Sequence, residues 1–305
     1  MIHVVGNLNL DIVLGPLERW PAPGTEVVLP YQTVRIGGAA GNAIKALRAL
    51  GVPTRGHTTV GNDHFGDMLS KELGQDAVDA VRHNKNTAYT VGISHPNGER
   101  TFFTYLGHLE EYDPAPVFDA LAADPGGYLL LCGYFLLPGL RNAGALELIE
   151  AARHHGHTVV FDSGWPTEGW STAVRDELDS LLPLVDIVLP NEVEAYGWAQ
   201  TQDVVAAIRH LERFGGRAVV KLGARGAGWL RSETLELAPP AQLRVVDTIG
   251  AGDAFNAGLI AARLHGLGLD MATAVAVEVA GQAISSNPRS YPSWDEAVAR
   301  LALAD

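Results

Sequence analysis

Asp247-Thr248-Ile249-Gly250-Ala251-Gly252-Asp253-Ala254-Phe255 (DTIGAGDAF) leads straight into a helical pattern over 253–265. Gly250 and Gly252 permit a tight turn that leaves backbone N–H groups unshielded, and the helix that follows presents its positive end to the same spot. That combination suits an anion, above all a transferring phosphoryl group. Asp253 sits inside the turn, where a carboxylate can take the proton from an attacking hydroxyl. Phosphoryl transfer needs positioning and charge stabilisation more than covalent chemistry, so an anion hole with one base is a sufficient minimum. An aspartate ahead of a helix is also a plain cap, and the rest of the chain has to decide between the two.

Outward from this turn the chain alternates. Short apolar runs at 2–5, 55–60, 129–132, 157–161, 186–189 and 218–222, bounded by turn residues, read as inner strands of a parallel sheet. Helices are predicted at 42–50, 65–73, 143–154, 172–182, 192–198, 204–214, 253–265 and 271–284. This is the pattern of an α/β fold with helices on both faces of a mainly parallel sheet. Two stretches break it, 25–34 and 87–105, both rich in β-branched and aromatic residues. The second carries Asn97-Gly98 between two strand-like runs, a strong hairpin signal. The two are expected to pair into a small separate sheet, a natural lid over a site at the strand ends. No repeat or linker divides the 305 residues.

Two further segments carry polar chemistry. Gly37-Gly38-Ala39-Ala40-Gly41-Asn42 allows close backbone approach to a ligand, and Asn42 can donate and accept at a polyol. In Asn7-Leu8-Asn9-Leu10-Asp11, after the first strand, polar and apolar residues alternate. Asn9 and Asp11 therefore point the same way and can hold vicinal hydroxyls.

GGAAGN at 37–42 and DTIGAGDAF at 247–255 resemble the N- and C-terminal signatures of the PfkB carbohydrate kinase family, and order and spacing fit over nearly the whole chain. Asn191-Glu192-Val193-Glu194 is similar to the family's N-x-x-E motif, and Lys221-Leu222-Gly223-Ala224-Arg225-Gly226 resembles its nucleotide-side loop. The resemblance implies a single ribokinase-like three-layer α/β/α domain over 1–305, with a mainly parallel central sheet and a small β-sheet lid from roughly 12–35 and 87–108. It implies transfer of the ATP γ-phosphate, with magnesium, to a hydroxyl of a sugar or sugar-like compound. Position by position, Asp253 would be the base and the amides of Gly250, Ala251 and Gly252 the anion hole. Asn9, Asp11, Gly38 and Asn42 would bind sugar hydroxyls. Arg100 and Tyr105, with Phe103 and Tyr89, would be lid contacts. Asn191, Lys221, Gly223 and Gly226 would lie beside ATP, and Glu194 would hold magnesium through water. Asp247 and Ile249 match the first half of a monovalent-cation (potassium) site.

Two departures stand out. Ser286-Asn287-Pro288-Arg289 does not match the second half of that cation site, and Tyr134 or a neighbour stands where ribokinases proper carry a glutamate. The implied partners are a small-molecule sugar or nucleoside and a second copy of the chain through the lid strands. A nucleoside kinase of the same fold and a catalytically silent sugar-binding regulator are the alternatives, and intact Asp253, Asn191 and Glu194 speak against the regulator.

Bulk properties exclude other classes. Hydrophobic residues make up 47% and charged residues 19%, which is not a disordered composition. A net charge of −13 without basic clusters does not suit a nucleic-acid partner. The longest apolar segment, 128–140, is broken by Gly133, Pro138 and Gly139 and is too short for a membrane span of ~20 residues. No signal peptide is expected. One cysteine, Cys132, permits no disulfide within the chain, fits a reducing, cytoplasmic location and reads as a buried hydrophobe. There is no G-x-x-x-x-G-K-[ST] phosphate loop and no G-x-G-x-x-G after the first strand. His154, His155 and His157 read as a solvated helix end, and Trp165 and Trp170 as a packed loop.

Overall fold

The computed structural model describes residues 1–74, 78–96, 100–286 and 289–302. Its strands are β1 (Ile2–Gly6), β2 (Asn9–Gly15), β3 (Tyr31–Gly37), β4 (Thr54–Gly61), β5 (Val78–His83), β6 (Tyr89–Ser94), β7 (Arg100–Tyr105), β8 (Tyr128–Cys132), β9 (Thr158–Asp162), β10 (Ile187–Val188), β11 (Arg217–Ala218), β12 (Val220–Lys221), β13 (Ala227–Arg231) and β14 (Thr234–Ala238). The helices are α1 (Ala39–Ala49), α2 (His64–Leu73), α3 (Ala115–Ala123), α4 (Ala143–His154), α5 (Thr172–Leu181), α6 (Glu192–Ala199), α7 (Val204–Glu212), α8 (Ala251–Leu264), α9 (Leu269–Ser285) and α10 (Trp294–Ala302).

The body is a parallel sheet in the order β11-β10-β9-β8-β1-β4-β5. Strand alternation sends Ile2, Val4, Leu130 and Cys132 to one face, where they pack with Ile44 and Leu47 of α1 and Leu259 and Ile260 of α8. Val5, Leu129 and Leu131 face the other way, against Leu148 and Ile149 of α4 and Leu178 of α5. Helices therefore cover both faces, which is what lets a parallel sheet of continuous apolar strands exist in water. Cys132 is fully buried, as expected.

The lid is a four-stranded sheet in the order β3-β2-β6-β7. β2 pairs antiparallel with β3 and parallel with β6, and β6 pairs antiparallel with β7. Asn97-Gly98 lies outside the described residues, but the strands flanking it pair as the hairpin signal requires, with Ser94 opposite Arg100.

Several boundaries differ from the sequence reading. The strand expected at 25–34 starts only at Tyr31; Pro30 cannot donate to a ladder, and 25–30 find no partner strand. The run 218–222 splits. β11 closes the parallel sheet, and β12 opens a second, antiparallel sheet in the order β12-β13-β14. α1 begins at Ala39, so the glycine-rich segment forms its first turn. His157 is not solvated: it is 4% exposed, lies edge-on to His3 with ring centroids 5.2 Å apart, and has Nε2 3.2 Å from the Leu121 carbonyl. Trp165 is 53% exposed rather than packed, and with Trp170 and Tyr196 it lines an open cleft beside α6.

Candidate active site

The site lies at the C-terminal ends of the parallel strands, where loops leave the sheet. Beyond β1, Asn7 donates from Nδ2 to Asn9 Oδ1 (2.8 Å), and Asn9 Nδ2 donates to Asp11 Oδ1 (2.9 Å). All three residues are buried. Gly38 ties this chain to α1. Its φ of 81° is left-handed, and a Cβ there would stand 2.3 Å from the Asn7 carbonyl oxygen and 2.7 Å from Asn9 Oδ1. Only glycine brings the first turn of α1 this close. That turn delivers Asn42, whose Nδ2 donates to Asp253 Oδ2 (2.9 Å). The two signature segments thus meet at one hydrogen bond across 211 residues of sequence.

Gly250 caps α8 with φ 75° and no side-chain hydrogen bond. A Cβ on it would stand 2.6 Å from Arg289 Nη1 and 2.9 Å from Asn42 Nδ2. The Ala251 amide donates to the Thr248 carbonyl at 3.2 Å. The amides of Gly252 and Asp253 have no acceptor among the described residues, so the positive end of α8 is open there. Burial, then repulsion from Asp162, raise the Asp253 carboxyl to about 7, against the Asn42 hydrogen bond and the Lys221 charge. Burial likewise raises Asp11 to about 6, opposed by Arg35, Asn9 and Arg289.

Beneath Asp253 lies a buried charge network. Lys221 Nζ contacts Asp162 Oδ2 at 2.7 Å and Asn256 Oδ1 at 3.4 Å, and Asn256 Nδ2 donates to Asp162 Oδ2 at 2.6 Å. Burial alone would lower the Lys221 ammonium, but Asp162 and Glu194 reverse this and it is raised. Glu194 is raised to about 7 by burial and by Asp162. Asn191 and Glu194 form a capping box on α6: Glu194 N donates to Asn191 Oδ1 (2.9 Å) and Asn191 N to Glu194 Oε2 (2.8 Å). Gly223 and Gly226 flank a single turn between β12 and β13. The glycine at 226 answers to packing, since a Cβ would stand 1.9 Å from the Ala238 carbonyl oxygen.

Lid register separates the expected contacts. Asp11 pairs with Arg35 and Thr90, and Thr90 with Thr104, so these residues share one face with Phe102 and Arg100. Asn9 joins them through Thr90 Oγ1 at 3.4 Å. Tyr105 pairs with Tyr89, and Tyr89 with Leu10, on the opposite face. Tyr105 and Tyr89 meet there with tilted rings, 5.4 Å between centroids, and Phe103 is on the same side. Of the expected lid contacts only Arg100 faces the site. Phe102 lies half exposed on that same face.

The carboxylate of Asp247 accepts four hydrogen bonds. Arg35 Nη1 and Arg289 Nη2 donate to Oδ2 (2.5 and 3.1 Å), and Arg100 Nη2 and the Ile249 amide donate to Oδ1 (2.8 and 3.0 Å). Burial raises its pKa, and the Ile249 amide, Arg35 and Arg289 overturn that to hold it low. Tyr134 is fully buried away from the cleft; its hydroxyl lies 2.5 Å from Glu177 Oε1 and accepts from the Asn142 amide.

Sequence reading missed Arg35, Arg289, Asp162, Asn256 and Phe102. The strand-end rule would have found Asp162, which closes the run VVFD. No local signal marks Arg35 or Arg289.

A three-layer parallel α/β body, a small β lid and an aspartate held by Asn42 at the N-terminus of a helix are the frame of a small-molecule phosphotransferase. The family model for pfkB family carbohydrate kinases matches residues 1–295, and the chain belongs to that family. An uncharacterized sugar kinase of Escherichia coli (strain K12) is 26% identical over 275 residues, covering 88% of this chain and 83% of that protein. In fold, the chain is similar to a ribokinase of Arabidopsis thaliana complexed with ribose and ATP (TM-score 0.81, 21% identity, 98% of each chain). A nucleoside kinase of Burkholderia thailandensis in complex with inosine superposes with a TM-score of 0.77 at 19% identity, covering 100% of this chain and 98% of that one.

Proposed function

We propose that the chain transfers the γ-phosphate of ATP, with magnesium, to a hydroxyl of a sugar or sugar-like polyol. One observation carries this reading: Asp253, raised to about 7 and held by Asn42, stands at the open N-terminus of α8. A substrate hydroxyl placed by Asn9, Asp11 and Asn42 gives its proton to Asp253 as its oxygen attacks the γ-phosphorus of ATP, and the bond from that phosphorus to the β–γ bridging oxygen breaks to release ADP. The free amides of Gly252 and Asp253 take the charge on the transferred group. Lys221, Gly223 and Gly226 lie on the nucleotide side.

The donor set fits magnesium. Two buried carboxylates, Asp162 and Glu194, repel each other, and a hard cation bridged by water relieves that repulsion. Magnesium held mainly through water and phosphate oxygens needs no cage of three protein ligands, and none exists among the described residues. Asp247 is committed to three arginines, so we expect turnover to be unchanged when potassium is replaced by an inert organic cation.

The test is ADP release with a panel of sugars and nucleosides, on the parent and on Asp253→Ala. Loss of the base should lower kcat by about 10²–10⁴, and a loss under about tenfold would overturn the assignment. Ribose turnover without nucleoside turnover would exclude the nucleoside-kinase reading. Ligand binding with no ADP formed on any substrate would favour a silent regulator.

The proposal includes a cytoplasmic location and a homodimer through the lid, whose Tyr31, Val34 and Phe103 are exposed; a sizing column decides the latter. No helix among the described residues is long and apolar enough to cross a membrane.

A further inference from the structure

We infer that the substrate carries an anionic group, a carboxylate or a phosphate, beside its polyol, and that Arg35, Arg100 and Arg289 recognise it. The inference rests on the kinase reading above and deepens it.

Three guanidinium groups converge on the single carboxylate of Asp247. They are well enclosed, with side-chain exposures of 18%, 17% and 8% for Arg35, Arg100 and Arg289.

Among the described residues, Arg35 Nε and Nη2, Arg100 Nε, and Arg289 Nε and Nη1 are buried without a hydrogen-bond partner. Buried polar atoms are rarely left so. A guanidinium fork matches carboxylate and phosphate oxygens in two-point contact, so these arginines have the right donors for one more anion.

Arg35 and Arg100 sit on the lid face that carries Asn9, Asp11 and Thr90. Arg289 comes from the body, and its Nη1 lies 2.6 Å from where a Cβ on Gly250 would stand. The cluster therefore lies between the hydroxyl-binding strand and the phosphate turn, within reach of a group on the same small molecule. A cluster that merely latched the lid to Asp247 would not need five idle donors, two of them on Arg289.

Calorimetric titration without nucleotide tests this, using gluconate, glucose 6-phosphate and fructose 1-phosphate against glucose, fructose, ribose and adenosine. At least one anionic compound should bind about tenfold or more tighter than its neutral parent, and the sugar-acid and sugar-phosphate arms tell carboxylate from phosphate. Arg289→Met should erase that preference, weakening the anionic ligand by roughly 10- to 100-fold, and Arg289→Lys should restore part of it. Arg100→Gln, at the lid edge, repeats the test if Arg289→Met folds poorly by thermal melting.

Three outcomes overturn the inference. Neutral sugars or adenosine could bind as tightly as every anionic ligand. The arginine variants could weaken neutral and anionic ligands by the same factor, the mark of a lid latch. Or they could raise KM for ATP alone, the mark of a clamp on the transferred phosphate. ADP release is scored separately: its absence on every substrate would sink the kinase reading while the anion preference stays measurable.

Discussion

Asp253 must be ionised to accept a proton, yet it is enclosed by protein and faces Asp162, so its carboxyl is raised to about 7 from an ordinary 3.8. Two predictions follow at this residue. The kcat/KM profile should fall below pH about 7, approaching tenfold per pH unit as the base becomes protonated; Asp253→Ala should retain only a flat residual rate. The second concerns stability. Between about 4 and 7 the folded state keeps a proton that the unfolded state has released. Stability is therefore fullest below the unfolded value, falls as pH rises through this window, and stays low above it. Asp253→Asn, neutral and isosteric, should raise Tm by a few degrees at pH 8 and by less at pH 5. An equal Tm at pH 8, measured by thermal melting, would mean the carboxylate is not strained there.

At the scale of elements, the working parts are short ends of strands and helices. β12 contributes two residues, and one of them, Lys221, neutralises carboxylates from the end of β9 (Asp162) and the first turn of α6 (Glu194). Lys221→Met should strand both and lower stability by about 3–5 kcal/mol, seen as a lower urea midpoint, and adding Asp162→Asn should recover part of the loss. Glycines at 38 and 250 and Asn191 with Glu194 three residues on were legible in the sequence because their chemistry is local, although α1 and α8 begin at Ala39 and Ala251, ahead of the starts expected at 42 and 253. The split of 218–222 was not. Val219 donates to the Val188 carbonyl and Lys221 to that of Pro190, so where one sheet ends and the next begins depends on partners some 30 residues away. Lid face assignment failed for the same reason: alternation says Phe102 and Phe103 point apart, and only pairing with β6 says which faces the site.

Across the whole molecule, lid and body are joined at the site by ion pairs from Arg35 and Arg100 to Asp247. Asp247→Asn should loosen that joint, and hydrogen exchange should quicken in β3 and β7 while β1 and β8 stay protected; unchanged exchange in the lid would show that β2 alone positions it. The sequence by itself determined the layered α/β architecture, the existence of a lid, and the pair of segments that hold Asn42 and Asp253. Periodicity, glycine conformations and helix caps act within a few residues, so they can be read along the chain. Tertiary structure alone decided the burial that raises Asp253 and Glu194, the facing of Tyr105 away from the cleft, and the gathering of Arg35, Arg100 and Arg289 on Asp247. Those depend on register and on desolvation by distant elements, and residues 35, 100, 247 and 289 become neighbours only when the lid lies on the body.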